Sequence, residues 1–514
     1  MTSPPQTTPL ALHHAASAFG SAPAVCDGAV TLSWEQLLDS VRETARVLLA
    51  RGVQRGDRIG IWAPNTHHWV TALLATHYVG AVIVPLNTRY VADEVAEVLS
   101  RVDAKALFIT GSFLGRDRLA ELRATAPELV IDTVISIPAE GVEAVDAIAW
   151  SELPKLAEAV TLEDAVARAE SVQPDDLSDI LFTSGTTGRS KGVLIPHGRV
   201  LTSARAWADC ATLNSSDRFL VVPPFFHSFG YKAGILTCLV TGATIVPQAV
   251  FDVPESMRLI HDERITVVTG PPTIFQSLLE HPARAEADLS TLRVAVTGAA
   301  TVPVVLIERM RDELQFDVVL TAYGQTESGG FGTMCRPEDS NETIANTCGR
   351  AIAGFELKLA DNGELLLRST QIMIGYLDDP QATADTIDRD GWLHTGDVAV
   401  INEHGYAKIT DRLKDMYISG GFNVYPAEVE QAMARLDGVA ETAVIGVPDE
   451  RMGEVGKVFV VRKPGSALTA EEVLAHAKTL LARFKVPQFV EFRDQLPYSA
   501  AGKVLKRQLR EEKA

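Results

Sequence analysis

The run Asp179-Ile-Leu-Phe-Thr-Ser-Gly-Thr-Thr-Gly-Arg-Ser-Lys-Gly192 turns abruptly from apolar to hydroxylated. Ile180, Leu181 and Phe182 read as the end of a buried strand, and Val193 to Ile195 resume the strand pattern. Between them, Thr183, Ser184, Gly185, Thr186, Thr187 and Gly188 set hydroxyl donors beside glycines, whose permissive backbone lets N–H groups turn toward an anion. Lys191 adds a point charge able to follow a polyphosphate. The Walker pattern G-x-x-x-x-G-K-S/T is absent. By residue type alone the run is either a phosphate cradle or a polar hairpin turn.

Three further constellations carry chemistry. In Tyr323-Gly-Gln-Thr-Glu327, Glu327 can hold Mg2+ jointly with phosphate oxygens. Thr326 can donate to an α-phosphate oxygen and Tyr323 can stack on a base; a strand-end turn with a solvated glutamate is the plainer alternative. Gly391-Trp-Leu-His-Thr-Gly-Asp397 offers Asp397 to ribose hydroxyls, as carboxylates serve in dinucleotide sites, or as the cap of a hairpin turn. His227, in P-P-F-F-H-S-F-G, lies among aromatics, where packing histidines are common.

These residues need elements to hold them. Short apolar runs alternate with helical spacing from residue 9 onward: strands at Arg58–Trp62, Ala81–Pro85, Leu107–Thr110 and Val134–Ile137, and a helix over Trp69–Val79. Such alternation implies an α/β fold with parallel sheets covered by helices. Residues 139–178 read as a peripheral acidic connection with some helix. Four apolar runs, at Phe219, Thr266, Val294 and Val318, each end in a loop of small, hydroxylated or aromatic residues. The carboxyl ends of parallel strands share one edge, where ligands bind, so these loops should meet. Residues 350–410 read as a small antiparallel barrel or sheet. From Asp411 a smaller α+β module begins, with helices over Ala427–Arg435 and Ala470–Leu481. The expected domains are 1–411 and 412–514.

The chain has 514 residues, too many for one core. A formal charge of −19 argues against nucleic acid as the main partner. Cys26, Cys210, Cys238, Cys335 and Cys348 are scattered without C-x-x-C spacing, so no zinc site is expected and the thiols suit a reducing compartment. No signal peptide, span, peroxisomal tail or prenylation box is evident, and a cytoplasmic protein is expected.

The signature T-S-G-T-T-G-R-S-K-G resembles that of the adenylate-forming superfamily of acyl-CoA synthetases, aryl-CoA ligases, luciferases and adenylation domains. The other blocks follow in family order from about residue 30 to 506. The resemblance implies ATP, Mg2+ and CoA, with a small carboxylic acid as substrate. It makes Lys503, in P-Y-S-A-A-G-K-V-L-K, the lysine that meets the carboxylate and α-phosphate. It gives the ribose to Asp397 and Arg412, and the metal to Glu327 with Thr187. Adenylate contacts fall to Ala299, Ala300, Thr321, Ala322, Tyr323 and Gly324. It makes Lys414 the hinge of a mobile C-terminal domain, and Gly420, Gly421 and Asn423 the face toward CoA. Ile418 departs from plant aryl-CoA ligases, which carry lysine there.

The resemblance also places His227 at the mouth of an acyl pocket lined by Phe229, Tyr231, Gly298 and Met334, within a wall running through residues 297–301. The segment around His227 lacks the aspartate of peptide-synthetase domains, which disfavours an amino acid, because a buried ammonium would go unpaired. Strings such as A-P-N-T-H-H-W-V and F-F-H-S-F-G-Y-K-A-G-I-L resemble the CoA ligases of actinobacterial sterol breakdown, implying a bicyclic indanedione propanoate. Alternatives are a medium- or long-chain fatty acyl-CoA ligase, an aryl-CoA ligase, transfer to a carrier protein, and a catalytically silent nucleotide-binding protein. A homodimer is left open.

Overall fold

The computed structural model describes residues 4–139, 144–183, 190–298, 302–413, 415–420, 422–498 and 504–512. The chain divides into one unit of residues 1–356 with 368–393, and a second of 357–367 with 394–514.

In the first unit, apolar four- to seven-residue runs become strands buried along their length. Arg218–Val221, Val267–Gly270, Val294–Gly298 and Val318–Tyr323 lie side by side and parallel, in register Phe219 to Val267 to Val294 to Val318. Their carboxyl ends therefore share one edge of a nine-stranded sheet, as the repeated strand-then-loop pattern predicts. The helices Val253–Asp262, Pro272–Glu280 and Val304–Asp312 lie between them in the chain. Caps fix such helices: Ser33 and Gln36 exchange side-chain bonds with each other's backbone at the start of Trp34–Ala50.

The other large sheet has seven strands. Leu177–Thr183 runs parallel to Val82–Pro85 and antiparallel to Lys191–Pro196, forming a hairpin whose last pair among the described residues is Thr183–Lys191. Gly375–Tyr376 adds a two-residue strand on the far side of Lys191–Pro196. That strand escaped the sequence reading, as did the helix His197–Cys210, the strand Thr244–Pro247 and a π-helical stretch over Tyr231–Leu236. Two-residue strands carry no period, and a π turn is set by tertiary packing rather than by propensity.

The second unit holds most of a four-stranded sheet, in which Trp392–Ile401 and Ala407–Arg412 pair antiparallel, and a five-stranded sheet with its helices. In the latter, Val439–Asp449 and Gly453–Arg462 form a long hairpin, Phe489–Arg493 adds parallel to it, and Pro426–Met433 and Ala470–Leu480 pack beside it. This is the α+β module expected after Asp411. Among the described residues no helix is long and apolar enough to cross a membrane.

Candidate active site

In the first unit the hairpin and the Glu327 turn come together through a tyrosine. The Lys191 ammonium sits 4.8 Å from the centre of the Tyr376 ring, and the Tyr376 hydroxyl donates to Glu327 Oε1 at 2.9 Å. The N–H of Met373 donates to the Glu327 carbonyl at 2.8 Å, so the same segment holds both the backbone and the side chain of Glu327. Burial, reinforced by the Glu327 charge, pushes the Tyr376 hydroxyl well above its ordinary pKa, and it remains a donor at physiological pH. Sequence reading singled out Lys191 and Glu327 but missed Tyr376, a lone aromatic in a Gly-Tyr pair.

The turn bearing Thr326 and Glu327 closes on itself. Ser328 Oγ donates to the Gln325 carbonyl, and the N–H groups of Gly329 and Gly330 bond back to Thr326 and Gln325. Gly324 makes the closure possible, because a Cβ there would lie 2.4 Å from the Gly330 carbonyl oxygen. Ala322 and Tyr323 end the Val318–Tyr323 strand beside Gly298. The Thr321 hydroxyl is taken up by the carbonyls of Ile344 and Thr347, each at 2.8 Å, which turns it toward that segment. Arg101, another residue the sequence did not single out, donates to the Ser190 carbonyl at the foot of the hairpin at 2.7 Å.

His227 caps the turn Ser228–Gly230. Its Nδ1 accepts from the Phe229 N–H at 3.2 Å, which places the proton of the neutral ring on Nε2. Asn65 fixes the approach to this turn: its amide donates to the carbonyls of Val221 and Pro223, and its oxygen accepts from Phe225 N–H at 2.7 Å. The A-P-N string contained that residue without revealing its partners. Phe229 and Gly298 are half-buried, whereas Tyr231 and Met334, expected in the pocket lining, have no exposed surface. Tyr231 packs against Trp69 and His77, with ring centres 6.2 and 6.5 Å apart.

In the second unit Asp397 and Arg412 face each other across paired strands, with Arg412 Nε 3.0 Å from Asp397 Oδ1. The two residues assigned to the ribose are thus brought together. Buried Glu364 organises the turn before Asp397: one oxygen accepts from Gly396 N–H at 2.8 Å and the other pairs with His394 Nδ1 at 2.9 Å. Asp411 accepts from Ala427 N–H at 2.9 Å at the start of the helix Pro426–Met433, and burial raises its carboxyl to about 6. Gly420 ends the strand Tyr417–Ser419 and donates to the Met452 carbonyl at 2.8 Å. Ser184, Gly185, Thr186, Thr187, Gly188, Ala299, Ala300, Lys414, Gly421 and Lys503 lie outside the described residues, as does the side chain of Asn423.

A lysine-bearing hairpin beside a glutamate turn, with a carboxylate–arginine pair in a second α+β unit, defines the class of AMP-forming acid–thiol ligases. The chain belongs to the AMP-binding enzyme family: residues 12–377 match the AMP-binding enzyme model and residues 428–503 match the AMP-binding enzyme C-terminal domain. It is 56% identical, over the full length of both chains, to a protein of Rhodococcus jostii named as a 7a-methyl-1,5-dioxo-octahydroinden-4-yl propanoyl:CoA ligase. A Mycobacterium tuberculosis protein of the same name is 57% identical over 93% of each chain. Among solved structures, ATP-bound MatB from Rhodopseudomonas palustris superimposes with a TM-score of 0.85 at 28% identity, covering 98% of each chain.

Proposed function

We propose that this chain is an ATP-dependent carboxylic acid:CoA ligase that works through an acyl-adenylate, with the bicyclic methyl-dioxo-octahydroindenyl propanoate as its acid. The observation that carries the chemistry is the line Lys191–Tyr376–Glu327, which sets a cation and a carboxylate about one tyrosine, the pair of charges that a metal-bound polyphosphate calls for. The choice of acid rests on the names of the two full-length relatives.

A carboxylate is a poor acyl donor because its leaving group would be oxide. In the proposed reaction the acid's oxygen attacks the α-phosphorus of ATP, the bond to pyrophosphate breaks, and an acyl-adenylate forms. The sulfur of CoA then attacks the acyl carbon, AMP leaves with the electron pair, and the thiol proton passes to solvent. Lys191 and the hairpin hydroxyls neutralise the departing pyrophosphate. Mg2+, when bound, would neutralise the charge that builds up on the phosphates. Glu327, a carboxylate already oriented by the Tyr376 hydroxyl, is the kind of oxygen ligand that ion takes. Tyr323, Gly324, Ala299 and Ala300 are assigned to the adenylate, Asp397 and Arg412 to the ribose, and Lys503 to the carboxylate as it meets the α-phosphate. Gly420, Gly421 and Asn423 are assigned to CoA, with Lys414 as the hinge on which the second half-reaction depends. His227 and Phe229 are assigned to the acid. We place the enzyme in the cytoplasm, on the five free thiols.

A coupled AMP-release assay tests the reading, run with the indanedione propanoate, straight-chain acids of several lengths and aromatic acids. Turnover highest with the bicyclic acid is expected. A preference for straight-chain or aromatic acids would reassign the substrate, and no AMP release with any acid would reduce the chain to a nucleotide-binding protein.

A further inference from the structure

Lys232 and Asp179 are fully buried, with Lys232 Nζ 3.0 Å from Asp179 Oδ1. None of the roles assigned above uses them. Asp179 stands on Leu177–Thr183, the strand that runs into the phosphate hairpin, and its Oδ2 accepts from Ser178 Oγ at 2.7 Å. Lys232 stands in the π-helical stretch Tyr231–Leu236 that follows His227 and Phe229. A third loop reaches the same ammonium stem. Gly330 closes the turn carrying Glu327, and a Cβ on it would sit 3.7 Å from Lys232 Cδ and 3.1 Å from Ser228 Cβ. One buried side chain therefore adjoins the strand of the phosphate hairpin, the loop assigned to the acid, and the turn assigned to the metal.

Burying two charges is expensive, and well-packed apolar residues of similar volume are commonly as stable as a buried ion pair or more so. The pair is thus poorly explained by stability. π-helical turns are rare and gather at functional sites, and the second residue of this one is paired with a strand of the neighbouring sheet. Tyr231 beside it is drawn the same way: its hydroxyl lies next to Ser178 and Asp179, and burial with the Asp179 charge pushes that hydroxyl well up. Asp179 thus pairs with the second residue of the π turn and lies beside the first.

We propose that the Asp179–Lys232 pair is a positioning element for acid binding: it holds the π turn so that His227 and Phe229 meet the acid in register with the phosphate hairpin and the Glu327 turn. This rests on the acid:CoA ligase reading above. Neither residue touches substrate. Their effect passes through the loop that Lys232 holds.

The test separates stability from positioning. Asp179→Val and Lys232→Met alone each leave an unpaired buried charge and should melt well below the parent, while the double variant should recover most of that loss. In the folded double variant the KM for the acid should rise about tenfold or more, with the KM for ATP within about twofold of the parent's. Asp179→Asn combined with Lys232→Met keeps an acceptor for Ser178 and leaves no buried charge; it should show the same selective rise and decides the matter if the Val/Met pair does not fold. An unchanged acid KM, or equal rises for acid and ATP, overturns the proposal. A parent that releases no AMP with any acid overturns the ligase reading and this proposal with it, whereas an active parent with unaffected variants overturns this proposal alone.

Discussion

Tyr376 shows what a residue can do that its sequence context conceals. Its ring lies under the Lys191 ammonium and its hydroxyl holds Glu327, 49 residues away in the chain. Lys191 and Glu327 were legible because each sits in a run whose residue types make sense only together. Tyr376 sits in an ordinary Gly-Tyr pair, and its meaning comes entirely from the sheet pairing Val193–Tyr376 that lays it beside the hairpin. Asn65 and Glu364 were invisible for the same reason: each acts by hydrogen-bonding backbone that is remote in sequence. Tyr376→Phe keeps the ring under Lys191 and removes only the bond to Glu327. Partners that orient a metal ligand are typically worth 10- to 100-fold in metal affinity or activity. The half-saturating Mg2+ concentration for pyrophosphate formation should therefore rise by about tenfold, with acid KM little changed. A Mg2+ titration indistinguishable from the parent's would show that the hydroxyl does not orient Glu327.

At the scale of elements, strands with a clean apolar run were legible to within three or four residues, and so was the rule that their carboxyl ends share an edge. Elements defined by their neighbours were not, such as the π stretch and the two-residue strand at Gly375. The start of the helix Pro426–Met433 is a third case. Tyr425 at its N-cap makes no side-chain bond, and the acceptor comes instead from Asp411, which takes the Ala427 N–H. Asp411 is also buried, and burial outweighs its two backbone donors and Lys506, so its carboxyl titrates at about 6 instead of in the usual range near 4. The sign follows from linkage. The folded state binds this proton more tightly than the unfolded one, so its contribution is fully present below pH about 4 and is lost as pH rises through 6, by up to ~3 kcal/mol. Asp411→Asn removes the titration. Its melting temperature, relative to the parent's, should therefore rise between pH 4 and 6.5, and parallel melting curves across that range would place the perturbed group elsewhere.

At the scale of the molecule, the second unit carries both Lys503, assigned to adenylation, and the Gly420–Gly421 face, assigned to thioester formation. Gly420 is pinned to the turn of the long hairpin through Met452, and Tyr498 pairs with Val504 in an isolated bridge. The helix that follows, Lys506–Glu511, is tied by Lys506 to Glu430 at 2.9 Å and by Arg510 to Asp415 at 3.0 Å. Asp415 directly follows Lys414, so the helix Lys506–Glu511 is fastened to the flank of the expected hinge and should turn with it. If one unit presents Lys503 in the first half-reaction and the Gly420–Gly421 face in the second, damage to each face should be separable, as hinge-gated steps are. Lys503→Ala should lower acid-dependent exchange of pyrophosphate into ATP by more than 100-fold, yet still convert supplied acyl-adenylate and CoA to thioester. Gly421→Leu should keep the exchange and lose the thioester step. Arg510→Ala, which frees the helix from Asp415 without touching either face, should slow both steps together by a smaller, similar factor, because it loosens the coupling of that helix to the hinge. Loss of both half-reactions in Lys503→Ala and Gly421→Leu alike would mean that the two faces serve one conformation, and the alternation would have to be abandoned while the chemistry at Glu327 stood.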